Sequence, residues 1–327
     1  VARGALALPL FGPAPKNDRG TELDEQVHAL LSILSRSRRP LDELGPEGAR
    51  LEMRQQAALG QPPPLHVHRV EDRAIDADLA VRIYVPRAAP GRWPATVYYH
   101  GGGFVIGDLD THDPLCRELA VRSSSIVIAV HYRLAPEHPF PAAVEDSVRA
   151  FEWVITNADA LRIDPRRVAV AGDSAGGNLS AVVCQQLRGR DAQPCFQLLI
   201  YPSTDFTRSC DSHRTLGDRY ILTTAMIDWF LANYLTDPAQ ERDLRCSPLH
   251  TADLSGLPPA HVVVAGFDPL RDEGEAYAEA LRAAGVPTTS RCYDSLVHGF
   301  VSMGGIIDAA AHAIDDMGEI LRQRLWP

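Results

Sequence analysis

Arg167-Val168-Ala169-Val170-Ala171-Gly172-Asp173-Ser174-Ala175-Gly176-Gly177-Asn178-Leu179 is the stretch on which the reading of this chain turns. Its first five residues are a β-branched and apolar run, as a short buried strand requires. Beyond it Leu179, Val182, Val183 and Leu187 recur at helical spacing. Strand, tight turn and helix in that order predict a nucleophile elbow. Gly172 and Gly176 have no Cβ to collide with the adjoining elements, and Ser174 is held outward with its Oγ at the head of a helix. Gly-x-Ser-x-Gly should arise by chance in about one chain in ten of this length. The flanking elements, more than the motif, therefore make Ser174 a candidate nucleophile.

Working outward, residues 1–20 are rich in proline and glycine and are expected to run over the surface. Thr21 is placed to cap a helix in which Leu23, Val27, Leu30, Leu31 and Leu34 share a face, and a second helix is expected over 48–59, ending at Gly60 and Pro62-Pro63-Pro64. These helices carry no evident chemistry, so residues 1–60 read as one segment of a cap. Strands follow at 65–74, 79–85, 95–99 and 125–132, with a helix at 114–122. Helices at 142–157, 175–187, 274–284 and 306–325 then alternate with strands at 168–171, 196–201, 261–265 and 288–293. That order predicts an α/β class with a mostly parallel central sheet covered by helices on both faces over residues 61–327, and it suits an α/β-hydrolase fold. Residues 205–258 interrupt the alternation with a helix at 223–235 bearing Met226, Ile227, Trp229, Phe230 and Tyr234. An aromatic stripe is more often core than pocket, and the interval reads as the second cap segment.

Composition narrows the function. Of 327 residues 45% are hydrophobic, enough for a large core, and the formal net charge of −10 leaves no basic stripe for phosphates, so a nucleic-acid partner is not expected. Lys16 is the only lysine among the cations, an arginine-rich usage that a GC-rich bacterial genome accounts for. The six cysteines, Cys116, Cys184, Cys195, Cys210, Cys246 and Cys292, form no Cys-x-x-Cys pair and read as reduced, packed thiols. No apolar run reaches the roughly 18 residues of a membrane span. Ala5-Leu6-Ala7-Leu8-Pro9-Leu10 is too short for a signal h-region, so a cytoplasmic location is expected, a secreted form staying open. His66 and His68 alternate along a strand but have no further ligands near them in sequence. They read as exposed histidines, with no metal and no cofactor expected.

A serine hydroxyl is a weak nucleophile near neutral pH and needs a base oriented by an acid. In α/β hydrolases those partners follow the nucleophile on loops after later strands, acid before histidine. Asp268 follows Val262-Val263-Val264-Ala265, and His298 follows the strand at 288–293. Asp272, Glu273 and Glu275 fall in the start of the next helix, where acids are expected to complement the helix dipole. His250, His261 and His312 lie in a loop, at a strand start and within a helix. His100-Gly101-Gly102-Gly103-Phe104 directly after a strand supplies bare backbone N–H groups for an oxyanion, His100 itself reading as structural.

Together with Tyr132-Arg133-Leu134-Ala135-Pro136-Glu137-His138, Asp268-Pro269-Leu270-Arg271-Asp272-Glu273 and His298-Gly299-Phe300, these motifs resemble the hormone-sensitive-lipase-like carboxylesterases from about Leu65 onward. The resemblance implies a helical cap, hydrolysis of short- to medium-chain acyl esters, and oxyanion donors on Gly101, Gly102 and Ala175. Ser174, Asp268 and His298 would form the triad. Phe104, Tyr201, Asp205 and Phe230 are the expected pocket lining. An amidase or deacetylase with the same triad stays open, as does a homodimer. A non-catalytic receptor on this fold would lack the triad histidine, which is present here as His298.

Overall fold

The computed structural model describes residues 12–34 and 41–326. The apolar run Ala5–Leu10 lies outside the described residues. In chain order the elements are α1 (Glu25–Leu34), α2 (Leu41–Gly60, kinked at Gly45), β1 (Arg69–Ala74), β2 (Ala80–Val85), β3 (Trp93–Tyr99), α3 (Asp113–Ser123), β4 (Ile126–His131), α4 (Ala142–Thr156), α5 (Ala158–Leu161), β5 (Ile163–Asp173), α6 (Ala175–Gln186), β6 (Gln197–Ile200), α7 (Asp211–Leu216), α8 (Thr224–Tyr234), β7 (Ala260–Phe267), α9 (Arg271–Ala283), β8 (Thr288–Val297) and α10 (Asp308–Leu325). The strands form one eight-stranded sheet in the order β1-β2-β4-β3-β5-β6-β7-β8. Only the β1/β2 and β2/β4 pairs are antiparallel.

Successive side chains of a strand point to opposite faces, and here both faces are apolar. Val97, Tyr99, Ile128, Val130, Val168, Val170, Val262 and Val264 turn to one side, against Phe151 and Val154 of α4, Leu179 and Val182 of α6, and Tyr277 and Leu281 of α9. Their neighbours Tyr98, Val127, Ala129, Ala169, Ala171, Val263 and Ala265 turn to the other, against Leu115 and Leu119 of α3 and Met317 and Leu321 of α10. Burial on both faces is why these strands read as continuous apolar runs rather than alternating ones.

Two local expectations change. Residues 12–24 do not lie loosely on the surface: Asn17 is buried and donates from Nδ2 to the Gly266 carbonyl at 3.0 Å, a contact 249 residues away in sequence that local composition cannot signal. The cap of α1 is Asp24 rather than Thr21. Asp24 Oδ1 accepts from the N–H groups of Gln26 at 2.9 Å and Val27 at 3.1 Å, while Thr21 donates its N–H to Asn17 Oδ1 beside the Lys16/Glu22 bridge. The cap of α8 is Thr223, accepting from Met226 N–H at 3.3 Å. Two short helices, α5 and α7, are too brief to show a period in the sequence.

The helices outside the sheet layers are pinned by polar contacts on α2 and by an aromatic stack on α8. Arg50 of α2 donates to the Val105 and Ala135 carbonyls and pairs in bidentate fashion with the Glu137 carboxylate. On α8, Tyr234 stacks on Phe104 at 4.0 Å between ring centroids. Both helices are thereby held over the C-terminal ends of the parallel strands, where open α/β sheets bind their ligands.

Asp24→Ala should lower the free energy of unfolding by roughly 1 kcal/mol, as loss of an N-cap does, and Thr21→Ala by much less. Urea denaturation of the two variants measures both; the reverse ranking would return the cap to Thr21.

Candidate active site

β5 delivers Ser174 into a backbone conformation that few side-chain-bearing residues adopt, φ 57° and ψ −117°. The surroundings hold it there: Ser174 N–H donates to the Ile200 carbonyl at 2.8 Å, and its own carbonyl accepts from Asn178 N–H at 3.0 Å. The turn closes so tightly that a Cβ on Gly176 would fall into the Tyr99 carbonyl. A strained residue persists only where its neighbours over-determine it, and this one leaves the hydroxyl at the N-terminus of α6.

The structure brings the three expected residues together. His298 Nε2 lies 2.9 Å from Ser174 Oγ, and His298 Nδ1 lies 2.7 Å from Asp268 Oδ2. Asp268 is fully buried, and its Oδ1 accepts the Leu270 N–H at 2.8 Å, which fixes the carboxylate plane. Tyr201 packs its ring against the imidazole of His298 at 4.6 Å between centroids.

Around this group is a cavity of about 430 Å³, walled by Leu30, Ile33 and Leu34 of α1, Ala49, Met53 and Ala57 of α2, Met226, Ile227, Phe230 and Leu231 of α8, and the Ser174 and His298 side chains. Phe104, Asp205 and Phe230 line it. Tyr201 does not; it is fully buried behind His298. Asp205 also does more than line the wall. It accepts from the hydroxyls and N–H groups of Thr207 and Ser209 and faces His250 Nε2 at 2.9 Å. Burial pushes its pKa up, but these hydrogen bonds outweigh burial and hold the carboxyl well below the usual range.

The glycine loop departs from expectation at one position. Gly101 N–H is already committed to Asp173 Oδ1 at 2.9 Å, and Gly101 is not on the cavity wall. Asp173 is buried and also accepts from Tyr98 Oη at 2.6 Å. Gly102, Gly103 and Ala175 are on the wall. Ala175 is the first residue of α6, where an N–H has no intrahelical partner. At Gly103, φ is +58° and a Cβ would fall inside the Phe230 ring, so only glycine fits. The signal that separates Gly101 from its neighbours is the register of β3 on β5: Tyr99 pairs with Gly172, which sets Asp173 beside the start of the loop. His100 is fully enclosed, its Nδ1 2.8 Å from the Gly101 carbonyl. Burial and the nearby His112 push its pKa down to about 3, so the ring is neutral and supports the loop.

Glu273 is not a surface acid at a helix start. It is fully buried, accepts the N–H groups of Thr204 at 2.5 Å and Asp205 at 3.1 Å, and meets His213 Nε2 at 2.5 Å. It thus ties α9 to α7, whose His213 lines the cavity. Burial raises the Glu273 carboxyl above the usual range, against the pull of His213. Nothing in its local sequence distinguishes this role from a dipole effect. Glu273→Gln should cost about 1–3 kcal/mol, since Oε1 holds both amides and the glutamine NH2 must take the place of Oε2, the oxygen that meets His213, and should change turnover of a small ester only a few-fold; urea unfolding and initial rates on one preparation check this.

Comparison with known proteins bears on the same residues. The family described as alpha/beta hydrolase fold matches residues 96–302. Carboxylic ester hydrolase LipN of Mycobacterium tuberculosis is 48% identical over 274 residues, 80% of this chain and 72% of that protein. Carboxylesterase NlhH of the same species is 46% identical over 278 residues, 82% and 86% of the two chains. Among solved structures, the ester-hydrolase EH1AB1 from the metagenome of Lake Arreo, complexed with a derivative of bipyridine phosphonate, superposes with a TM-score of 0.88 at 41% identity, covering 92% of this chain and 98% of that one. With the family match spanning more than half of the chain and these identities over most of it, the chain belongs to the α/β-hydrolase family, among its hormone-sensitive-lipase-like carboxylesterases, and is a serine carboxylesterase/lipase-like hydrolase.

Proposed function

We propose that this protein hydrolyses carboxylic esters of short to medium acyl chain length through an acyl-enzyme, with Ser174 as nucleophile, His298 as general base and acid, and Asp268 as the residue that orients the imidazole. The observation that carries the reading is the unbroken run of hydrogen bonds from Ser174 Oγ through His298 to a buried Asp268, at 2.9 and 2.7 Å, opening on an apolar cavity. His298 Nε2 takes the hydroxyl proton as Oγ attacks the ester carbonyl, and returns it to the departing alkoxide. Asp268 accepts the Nδ1 proton in a hydrogen bond throughout, which selects the tautomer and stabilises the imidazolium. Water then enters by the same route and releases the acid.

Gly102, Gly103 and Ala175 N–H groups are the proposed oxyanion donors, supported by their place on the cavity wall and by the commitment of the Gly101 N–H to Asp173. The described parts of residues 1–60 together with residues 205–258 are proposed as the two halves of a cap, because α1, α2 and α8 contribute the apolar wall opposite the nucleophile.

Ser174→Ala should lose about 10⁶-fold in kcat if the three residues act as a unit, and Asp268→Asn about 10⁴-fold. Near-normal turnover by Ser174→Ala, measured with p-nitrophenyl butyrate, would remove the nucleophile assignment. Along a p-nitrophenyl ester series, each methylene that meets apolar wall should add about 0.8 kcal/mol, nearly fourfold in kcat/KM, until the cavity is filled and the value falls. A continued rise to emulsified long-chain triglycerides would contradict the chain-length range, and faster turnover of matched anilides would favour an amidase.

A further inference from the structure

The pairing of β7 with β8 is broken immediately before the proposed catalytic acid. Register runs regularly from Ala260/Thr288 to Ala265/Tyr293, then skips to Phe267/Val297, so that Gly266 of β7, two residues ahead of Asp268, stands opposite three residues of β8, Asp294, Ser295 and Leu296. Bulges next to active sites re-aim the side chains that follow, and the irregularity leaves the Gly266 carbonyl in need of donors from elsewhere. They come from two places. Asn17 Nδ2 donates to it at 3.0 Å, and Arg271 Nη1 donates to it at 3.2 Å. Arg271 is itself almost entirely buried, with a side chain 2% exposed. Its guanidinium is clamped from the other side by Asp18 in a bidentate pair, at 2.7 and 2.8 Å, while its Nε donates to Asp272 at 2.8 Å. The same segment reaches the strand that leads to His298: Asp24 N–H donates to the Ser295 carbonyl of β8 at 3.0 Å. One strap, residues 15–24, therefore holds both the loop of the acid and the approach to the base. It lies outside the stretch that matches the family.

We infer that Asn17 and Asp18 are positioning residues for Asp268, setting the loop 266–271 so that its carboxylate meets His298 Nδ1; the inference rests on the triad assignment proposed above. Neither residue touches the reacting atoms. Asn17 fixes the backbone ahead of Asp268 directly, and Asp18 fixes it through Arg271, which spans the loop from Gly266 to its own position. The Arg271 guanidinium holds the Asp18 carboxyl at about 2, so the pair is intact at any pH used for assay. A displacement of about 1 Å in a catalytic group can lower turnover about 100-fold. The strap does this work without contributing to the cavity wall, so substrate affinity should be untouched.

The test compares the unaltered protein with Asp18→Asn, Asp18→Glu and Lys16→Gln, the last a change in the exposed Lys16/Glu22 pair of the same segment. Turnover is read with p-nitrophenyl acetate, active sites are counted with a fluorophosphonate, and the labelled peptide is identified. Asp18→Asn should lower kcat about tenfold with KM within twofold, part of the loss that a misplacement of this kind produces. Its acid limb in the kcat profile should move to lower pH, because a less well-placed Asp268 holds the His298 proton less tightly. Asp18→Glu should recover most of the loss, and Lys16→Gln should match the unaltered protein. Wild-type kcat and an unmoved pH profile in Asp18→Asn would overturn the positioning role, whatever happens to the melting temperature. If Asp18→Asn does not fold, Asn17→Ala, which leaves the ion pair in place, is read by the same criteria. Labelling of a serine other than Ser174 in the unaltered protein would overturn the triad assignment itself, and the inference with it; labelling at Ser174 with unchanged turnover in the variants would overturn the inference alone.

Discussion

The rest of the structure depends on the confinement of Ser174 at φ 57° between β5 and α6. The conformation is unfavourable for any residue with a side chain, and nothing local relieves it. It survives because the backbone on either side is packed against its neighbours with no room for adjustment. The Tyr99 carbonyl of β3 occupies the space a Gly176 Cβ would need, and β6 supplies the Ile200 carbonyl that the Ser174 N–H requires. The middle strands of the sheet therefore have to be parallel, closely registered and buried on both faces before the serine can be presented at all.

Around that point the protein buries four charged side chains, each held by two or more partners. Asp173 takes the Gly101 N–H and the Tyr98 hydroxyl, Asp268 takes Leu270 N–H and His298, Glu273 takes two amides and His213, and Arg271 takes Asp18, Asp272 and the Gly266 carbonyl. Removing such groups from water is costly unless every lone pair and proton finds a partner. These partners fix their orientation. A rigid polar layer thus lies under the site, and an apolar roof from α1, α2 and α8 lies over it. The two together suit an ester: a polar carbonyl to be held at fixed donors, and hydrocarbon to be kept from water.

Much of this was legible in the chain because the signals are local. Val168–Ala171, the glycines about Ser174 and the apolar stripe of Leu179, Val182 and Val183 specify a strand, a turn and a helix without help from the rest of the molecule. The apolar runs of the parallel strands, the breaks between them and the interval at 205–258 follow from composition in the same way, and chain order was enough to single out Asp268 and His298 for comparison. What tertiary structure alone decided are the contacts between residues far apart in sequence. The register of β3 on β5 gave the Gly101 N–H to Asp173 and left Gly103 on the cavity wall. Packing of α7 on α9 made Glu273 a buried strut instead of a helix-dipole acid. The break in β7/β8 pairing opposite Gly266 is met by Asn17 and, through Arg271, by Asp18, from a segment whose prolines and glycines suggested only a surface path. A side chain's propensity and period are properties of its own neighbourhood, whereas the partner of a buried donor or charge is set by which strands lie side by side, and that is known only once the whole sheet has formed.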